Sequence, residues 1–441
     1  MHYPKALPLC LLLLISDASA SFSPRSMMER AHKVALKHSR GLARDLRVAF
    51  GGAVVDERAQ KGRRLIKRGE YCVAGPKAGL SGAHSGGGGA GVGGSVGSNG
   101  TSPASGSRPS ATRGSTTTRT GTGAGASPTS ASSPWTLVEE HSGSDFYNGW
   151  DFFIGADPTN GIVTYVDEGT GRNAGLLNVN SAGNALMRVE TTPNVPNTRQ
   201  SIRITTKSLF DGGLFVMDSI HMPTGCGTWP AFWTNGPNWP SGGEIDIVEG
   251  VHDYTNNQMT IHTDPGCRLS TTDAGSLKIS GAVIGGQDCA AASTGNQGCG
   301  IRASASNSFG AAFNRNGGGV YAMQWDSTGV AVYFFPRDAI PADLTSNAPQ
   351  PSSWGAPQAR WPASGCNPFE FFKQHHVIFD TTLCGDWAAG VWSSAGVPGQ
   401  DQSCAQRTGY PTCEAFVRAN GASFNEAFWE VQYVKIFQEK Q

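Results

Sequence analysis

Three acids set among β-branched residues stand in the run Ser241-Gly242-Gly243-Glu244-Ile245-Asp246-Ile247-Val248-Glu249-Gly250. The local composition reads as a strand, in which successive side chains alternate between two faces. Glu244 and Asp246 then share one face, while Glu249, five positions after Glu244, points to the other. A single β-bulge at Ile247-Val248 restores the phase, placing all three carboxylates on one face and turning Ile245 into the core. Carboxylates this crowded repel one another, so at least one holds a proton near neutral pH. A protonated acid beside an ionised one suits retaining cleavage of a glycosidic bond. One carboxylate attacks the anomeric carbon and its partner protonates the leaving oxygen, the pair standing about 5–5.5 Å apart. Same-face positions on one short strand stay close to that range. Asp246, between them, is placed to hydrogen-bond the nucleophile and to bias which partner keeps the proton. The bland alternative is an edge strand whose acids are solvated and block aggregation.

The flanking sequence argues against that alternative. Cys226-Gly227-Thr228-Trp229-Pro230-Ala231-Phe232-Trp233 and Trp239-Pro240 precede the acids, and indole faces stack on the C–H sides of sugar rings. In a strand Trp229 and Trp233 face one side together, so both meet a cleft or neither does.

The elements that must position these residues are short strands. Alternating apolar and polar runs occur at 161–166, 185–189, 202–206, 320–325, 330–335, 377–379 and 431–437, separated by Gly, Pro, Asn and Asp. Asp326-Ser327-Thr328-Gly329 reads as a hairpin turn with Gly at a left-handed position. Long helical patterns are scarce. Many short strands with turn signals imply an all-β fold, a sandwich of two antiparallel sheets of the jelly-roll type with an open substrate cleft.

The 441 residues carry no net formal charge, but the balance averages unlike segments. Residues 1–20 run from Lys5 through the apolar stretch Leu7 to Ile15 to Ala18-Ser19-Ala20, the layout of a secretory signal peptide and too short for a membrane span. Residues 21–68 are basic and end on Lys67-Arg68, which suits either a pro-segment cleaved after Arg68 or a retained solvated arm. Within them 27–49 has loose helical spacing. Residues 69–134 are a Gly/Ser/Thr-rich flexible linker with almost nothing to bury, and Asn99-Gly100-Thr101 is a glycosylation triplet. All eleven tryptophans lie at Trp135 or later, which places the catalytic domain at 135–441. That domain holds 16 Lys/Arg against 28 Asp/Glu, a formal net of −12 that argues against a nucleic-acid partner. Eight of the ten cysteines fall between Cys226 and Cys413. They imply disulfides in an oxidising compartment, with 105 pairings open. None has the CxxC…CxxC spacing of a zinc site, so no metal and no cofactor is expected. Residues 427–441 lack an apolar anchor tail. A secreted, extracellular or cell-wall protein without a membrane span, acting as a monomer, is expected.

The motif GGEIDIVEG preceded by GCGTWPAFW resembles glycoside hydrolase family 16 in its bulged ExDxxE form. The likeness to the fungal laminarinase-like endo-1,3(4)-β-glucanase branch continues in FYNGWDFFIGADPTNGIVTYVD, the IHT of 261–263, WDSTGVAVYFFPR, DTTLCGDW and FWEVQYVKIF. The resemblance implies a β-jelly roll acting on β-glucan polysaccharide, with Glu244 as nucleophile, Glu249 as acid/base and Asp246 as the assisting acid. It also implies substrate contacts at Trp229, Trp233 and Trp239 and a cleft-side His262. Two other readings compete with hydrolysis: a cell-wall transglycosylase of the same fold, and a non-catalytic glucan-binding protein, against which the intact acid set speaks. No GxSxG elbow occurs in residues 135–441, where the strand-like runs lie, and no HExxH helix is present.

Overall fold

The computed structural model describes residues 132–440. The expected signal peptide, the basic segment with its 27–49 stretch and the linker up to residue 131 lie outside them.

Two large sheets carry the domain. In the first, the spatial order is β12 (Ala282–Ile284), β13 (Cys299–Arg302), β11 (Gln258–His262), β10 (Glu244–Glu249), β9 (Thr228–Asn235), β17 (His376–Leu383), β7 (Arg203–Thr206) and β2 (Trp150–Phe152). The second runs β16 (Ala359–Pro362), β15 (Gly329–Pro336), β14 (Gly319–Asp326), β8 (Gly213–His221), β18 (Phe428–Glu439), β5 (Ala185–Arg188) and β4 (Leu177–Val179), with β1 (Trp135–Ser142) also paired to β18. The pairs within both sheets are antiparallel, as the strand pattern implies. The run at 161–166 goes elsewhere: β3 (Val163–Tyr165) pairs in parallel with β6 (Arg199–Ser201) in a small third sheet. The helices are short, none of the described ones exceeding seven residues.

The core lies between the two sheets. Ile245, Ile247 and Val248 of β10, with Phe232, Met259, Ile261 and Phe379, pack in one cluster with Phe215, Tyr321, Met323, Trp325 and Trp429 of the opposite sheet. The three β10 side chains are fully buried. At about 1.5–3 kcal/mol each, their burial makes a slip of the strand register costly. A second cluster on the far side of the other sheet joins Leu214, Val216, Val320, Ala322 and Leu344.

Four disulfides, Cys226–Cys404, Cys267–Cys366, Cys289–Cys299 and Cys384–Cys413, use all eight cysteines of the domain. Two of them pin the helical excursion between β17 and β18, which has its own small core around Trp392, Phe416 and Phe424. The hairpin at 326–329 forms as read, Asp326 pairing with Gly329. Gly329 has φ +132° and already belongs to β15, where a side chain would strike the carbonyl of Trp361.

The glycine pair before Glu244 sets where β10 begins. Gly243 has φ +78°, and a Cβ there would run into the ring of Phe372 and the carbonyl of Phe371. Gly242 O accepts from Lys373 N at 3.0 Å and lies 2.8 Å from His375 Nε2, so the chain enters the strand pressed against 371–375. Gly243→Ala is expected to lower stability by about 2–4 kcal/mol, adding backbone strain to overpacking. Urea unfolding followed by tryptophan fluorescence measures this; an unchanged midpoint would show that the segment yields freely.

Candidate active site

The bulge expected at Ile247-Val248 is visible in the register. Along β9 the partners of Asp246 and Glu249 are Trp233 and Ala231, two residues apart; along β11 they are Thr260 and Gln258, again two apart. Three steps on β10 therefore match two on each neighbour. The result is a set of rows running across the sheet. Glu244 stands between Asn235 and His262, Asp246 between Trp233 and Thr260, and Glu249 between Ala231 and Gln258. Glu244 and Glu249 are thus four ladder steps apart, about 13 Å between Cα atoms at the usual rise, and their side chains must lean together to reach the retaining distance.

All seven residues singled out from the sequence line one cleft of about 330 Å³: Glu244, Asp246, Glu249, Trp229, Trp233, Trp239 and His262. The tryptophans differ in what they offer. Trp239 is 43% exposed and its indole N–H donates to Glu244 Oε2 at 2.6 Å. Trp229 is only 7% exposed, stands edge-on to Trp387, and donates its N–H to Glu249 Oε1 at 2.8 Å. It therefore orients an acid as well as lining the cleft. Trp233 lies under the guanidinium of Arg203, whose Cζ is 5.1 Å from an indole ring centroid.

Burial dominates the electrostatics of the acids. Desolvation, then the charge of Asp246, pushes Glu244 up to about 7, against the opposing pull of His262 and the Trp239 hydrogen bond. Asp246, 2% exposed, is raised by burial and then by Asp380. Asp380 in turn is pushed up to about 7 by burial, with Arg203 opposing. Glu244 and Asp246 thus both stand above their ordinary range on one face, where two close carboxyl groups favour keeping one proton between them. His262 Nε2 sits 3.4 Å from Asp246 Oδ2 and 3.9 Å from Glu244 Oε1. The ligand atoms of Glu244, Asp246 and His262 fall within 4.8 Å of one another, a set able to hold a cation.

Sequence reading missed Arg203, Asp380 and Trp387, which line the same cleft. Asp380 pairs with Ala231 on one side and with Arg203 on the other, continuing the row of Glu249. The alternation in His376–Leu383 marks Asp380 and Thr382 as sharing a face; no local signal says that β17 lies beside β9.

The family model described as "XgeA-like, catalytic GH16 domain" matches residues 150–437. The chain belongs to glycoside hydrolase family 16. Its similarity to a probable endo-1,3(4)-β-glucanase of Aspergillus niger is 42% identity over 309 residues, 68% of this chain and 40% of that protein. The chain thus spans well under half the length of this relative. Among solved structures it is similar to an elongating family 16 β-1,3-glucosyltransferase, with a TM-score of 0.62 and 37% identity, covering 69% of this chain and 100% of the other. It is equally similar to laminarinase 16A from Phanerochaete chrysosporium, described with 6-O-glucosyl-laminaritriose in donor and acceptor sites, with a TM-score of 0.62 and 34% identity over 69% and 99% of the two chains. These confirm the fungal family 16 branch and the jelly-roll fold of the enzyme.

The bulge makes the spacing of the acids testable. Deleting Val248 leaves ExDxE, which a regular strand presents on one face. Inserting alanine after Val248 makes the separation six and moves the acid/base candidate away or farther along. The deletion is expected to lose activity in part and the insertion almost wholly, measured as reducing ends released from laminarin by folded protein. Equal activity of the two variants, or a better insertion variant, would show that Glu244 and Glu249 are not paired on one bulged strand.

Proposed function

We propose that this family 16 domain is an endo-acting, retaining hydrolase of β-1,3- and mixed β-1,3/1,4-glucans. The observation that carries the reading is the bulged row of Glu244, Asp246 and Glu249 in one cleft, with a separate indole N–H on each glutamate. Glu244 attacks the anomeric carbon while Glu249 protonates the departing oxygen; the ester so formed is then opened by a water that Glu249 deprotonates. Asp246 keeps its proton and donates to Glu244, which holds the nucleophile ionised and oriented. His262 is the cationic or hydrogen-bonding neighbour of this pair, and Trp233 and Trp239 offer ring surface to the sugars.

Further polar atoms suit sugar hydroxyls. Gln258 Oε1, Thr260 Oγ1 and Asn296 Oδ1 are buried without a hydrogen-bond partner within the protein, and their residues line the cleft beside the acids. Groups of this kind favour a ligand that brings donors with it. Domain 135–441 is the catalytic unit in this reading. Export is supported by four disulfides, which need an oxidising compartment. No helix of the described residues is long and apolar enough to cross a membrane.

Transglycosylation is a second reading, favoured by the likeness to a glucosyltransferase structure. It uses the same ester, resolved by a sugar hydroxyl in place of water. Chain lengths of the products from laminarin separate the two, short oligosaccharides marking hydrolysis and elongated ones transfer.

Glu249→Gln is expected to lower turnover of laminarin by about 100-fold or more with the domain still folded, since general acid/base help is lost. In Glu249→Ala, azide should restore cleavage of a dinitrophenyl laminaribioside and give a β-linked glycosyl azide. Full activity of Glu249→Gln would remove the acid/base assignment, and an α-linked azide would contradict retention.

A further inference from the structure

A bulge disturbs the ladder it interrupts, because the extra residue displaces its neighbours' N–H and C=O groups from their partners. Here the displaced pair is met by a side chain. Asn257, one residue before β11, donates from Nδ2 to the carbonyl of Ile247 at 2.8 Å and accepts at Oδ1 from the N–H of Glu249 at 2.9 Å. The one carboxamide therefore brackets Val248. The polarity of its two partners fixes which end faces which, since an N–H can only donate and a carbonyl only accept. Asn257 is fully buried and is not itself one of the residues lining the cleft.

The bracket is itself held rigidly. The N–H of Asn257 donates to Ser308 Oγ at 2.9 Å, and its carbonyl accepts from Ala303 N at 2.8 Å. Ser308 Oγ donates onward to Ala305 O at 2.6 Å, and Asn256 Nδ2 donates to Ala303 O at 2.9 Å. The segment 303–308 thus backs the bulge from outside the cleft. The two carboxamide contacts fall on the backbone on either side of Val248, and one of them is the N–H of Glu249 itself.

Building on the reading of Glu249 as acid/base, we propose that Asn257 is a positioning residue for that glutamate: its carboxamide maintains the bulge and so keeps the Glu249 carboxyl turned into the cleft. Aspartate has no donor for the Ile247 carbonyl when ionised, leucine offers neither partner, and glutamine is a methylene too long. A position that needs one donor and one acceptor at this length is met by asparagine.

The test compares two substrates in the full-length chain. Laminarin needs a proton on its leaving oxygen; a 2,4-dinitrophenyl β-laminaribioside does not, and azide replaces the water that Glu249 would activate. In that second assay azide nitrogen bonds to the anomeric carbon as the ester bond to Glu244 breaks, so the glutamate's position ceases to matter. Asn257→Ala is expected to lower kcat on laminarin about 100-fold with KM within about threefold, while turnover of the activated glycoside with azide stays within about threefold of the parent. The ratio of the two activities is independent of how much protein is folded, so a purely structural role would leave it unchanged. Asn257→Ser, which leaves a smaller polar gap, gives the same ratio if the alanine variant is insoluble. An unchanged ratio in the soluble variant would overturn the proposal. Glu249→Ala measured alongside separates the two ideas. If it is dead on laminarin and rescued by azide while the Asn257 variant keeps the parental ratio, the acid/base assignment stands and the role of Asn257 falls. If Glu249→Ala cleaves laminarin normally, the assignment on which the proposal rests fails first.

Discussion

A strand repeats every two residues, and five positions separate Glu244 from Glu249. The rest of the site depends on how that conflict is resolved. One extra residue on β10, placed where three of its steps match two on β9 and on β11, returns Glu249 to the face of Glu244 and Asp246. The cost of the interruption is offset on both sides of the sheet. Ile245, Ile247 and Val248 are fully buried in the core, and the carboxamide of Asn257 satisfies the backbone groups that the bulge displaces. Each local choice is consistent with the same outcome, which is why the strand has one register.

With the phase set, burial does the electrostatic work. Glu244, Asp246 and Asp380 are drawn into a low-dielectric face where each is pushed above its ordinary range. Carboxyl groups in that condition share protons, and the asymmetry between them is imposed by their surroundings. Glu244 has an indole N–H on its side and Asp246 faces the charge of Asp380, while His262 stands within 4 Å of both. Disulfides and short helices frame this sheet from a distance. Cys384–Cys413 joins the excursion carrying Trp387 to the end of β17, and Trp387 stands against Trp229, whose N–H holds Glu249.

Much of this was legible in the sequence because it is local. The alternation of β10 and the position of its bulge follow from the two-residue period, and the paired placement of Trp229 and Trp233 in the cleft follows from the same rule. The hairpin at 326–329 is equally local. What escaped is what depends on register between distant segments. Asp380 and Arg203 reach the cleft because β17 pairs with β9 and β7, a choice among many that no nearby residue announces. The disulfide partners of Cys226 and Cys267 lie 178 and 99 residues away. Val163–Tyr165 has ordinary strand character yet joins a parallel pair, because pattern reports that a segment is extended and not which neighbour it takes. Asn257 looks like any polar residue at a strand end until the bulge it serves is known.

The most direct measurement is to trap the glycosyl-enzyme. A 2-deoxy-2-fluoro laminaribioside with a good leaving group forms the ester faster than water opens it, and peptide mapping by mass spectrometry then locates the bound sugar. A single adduct on the Glu244 carboxylate is expected. An adduct on Glu249 or Asp246, or covalent labelling that leaves Glu244 unmodified, would contradict the assignment of nucleophile and acid/base to the two ends of the bulged strand.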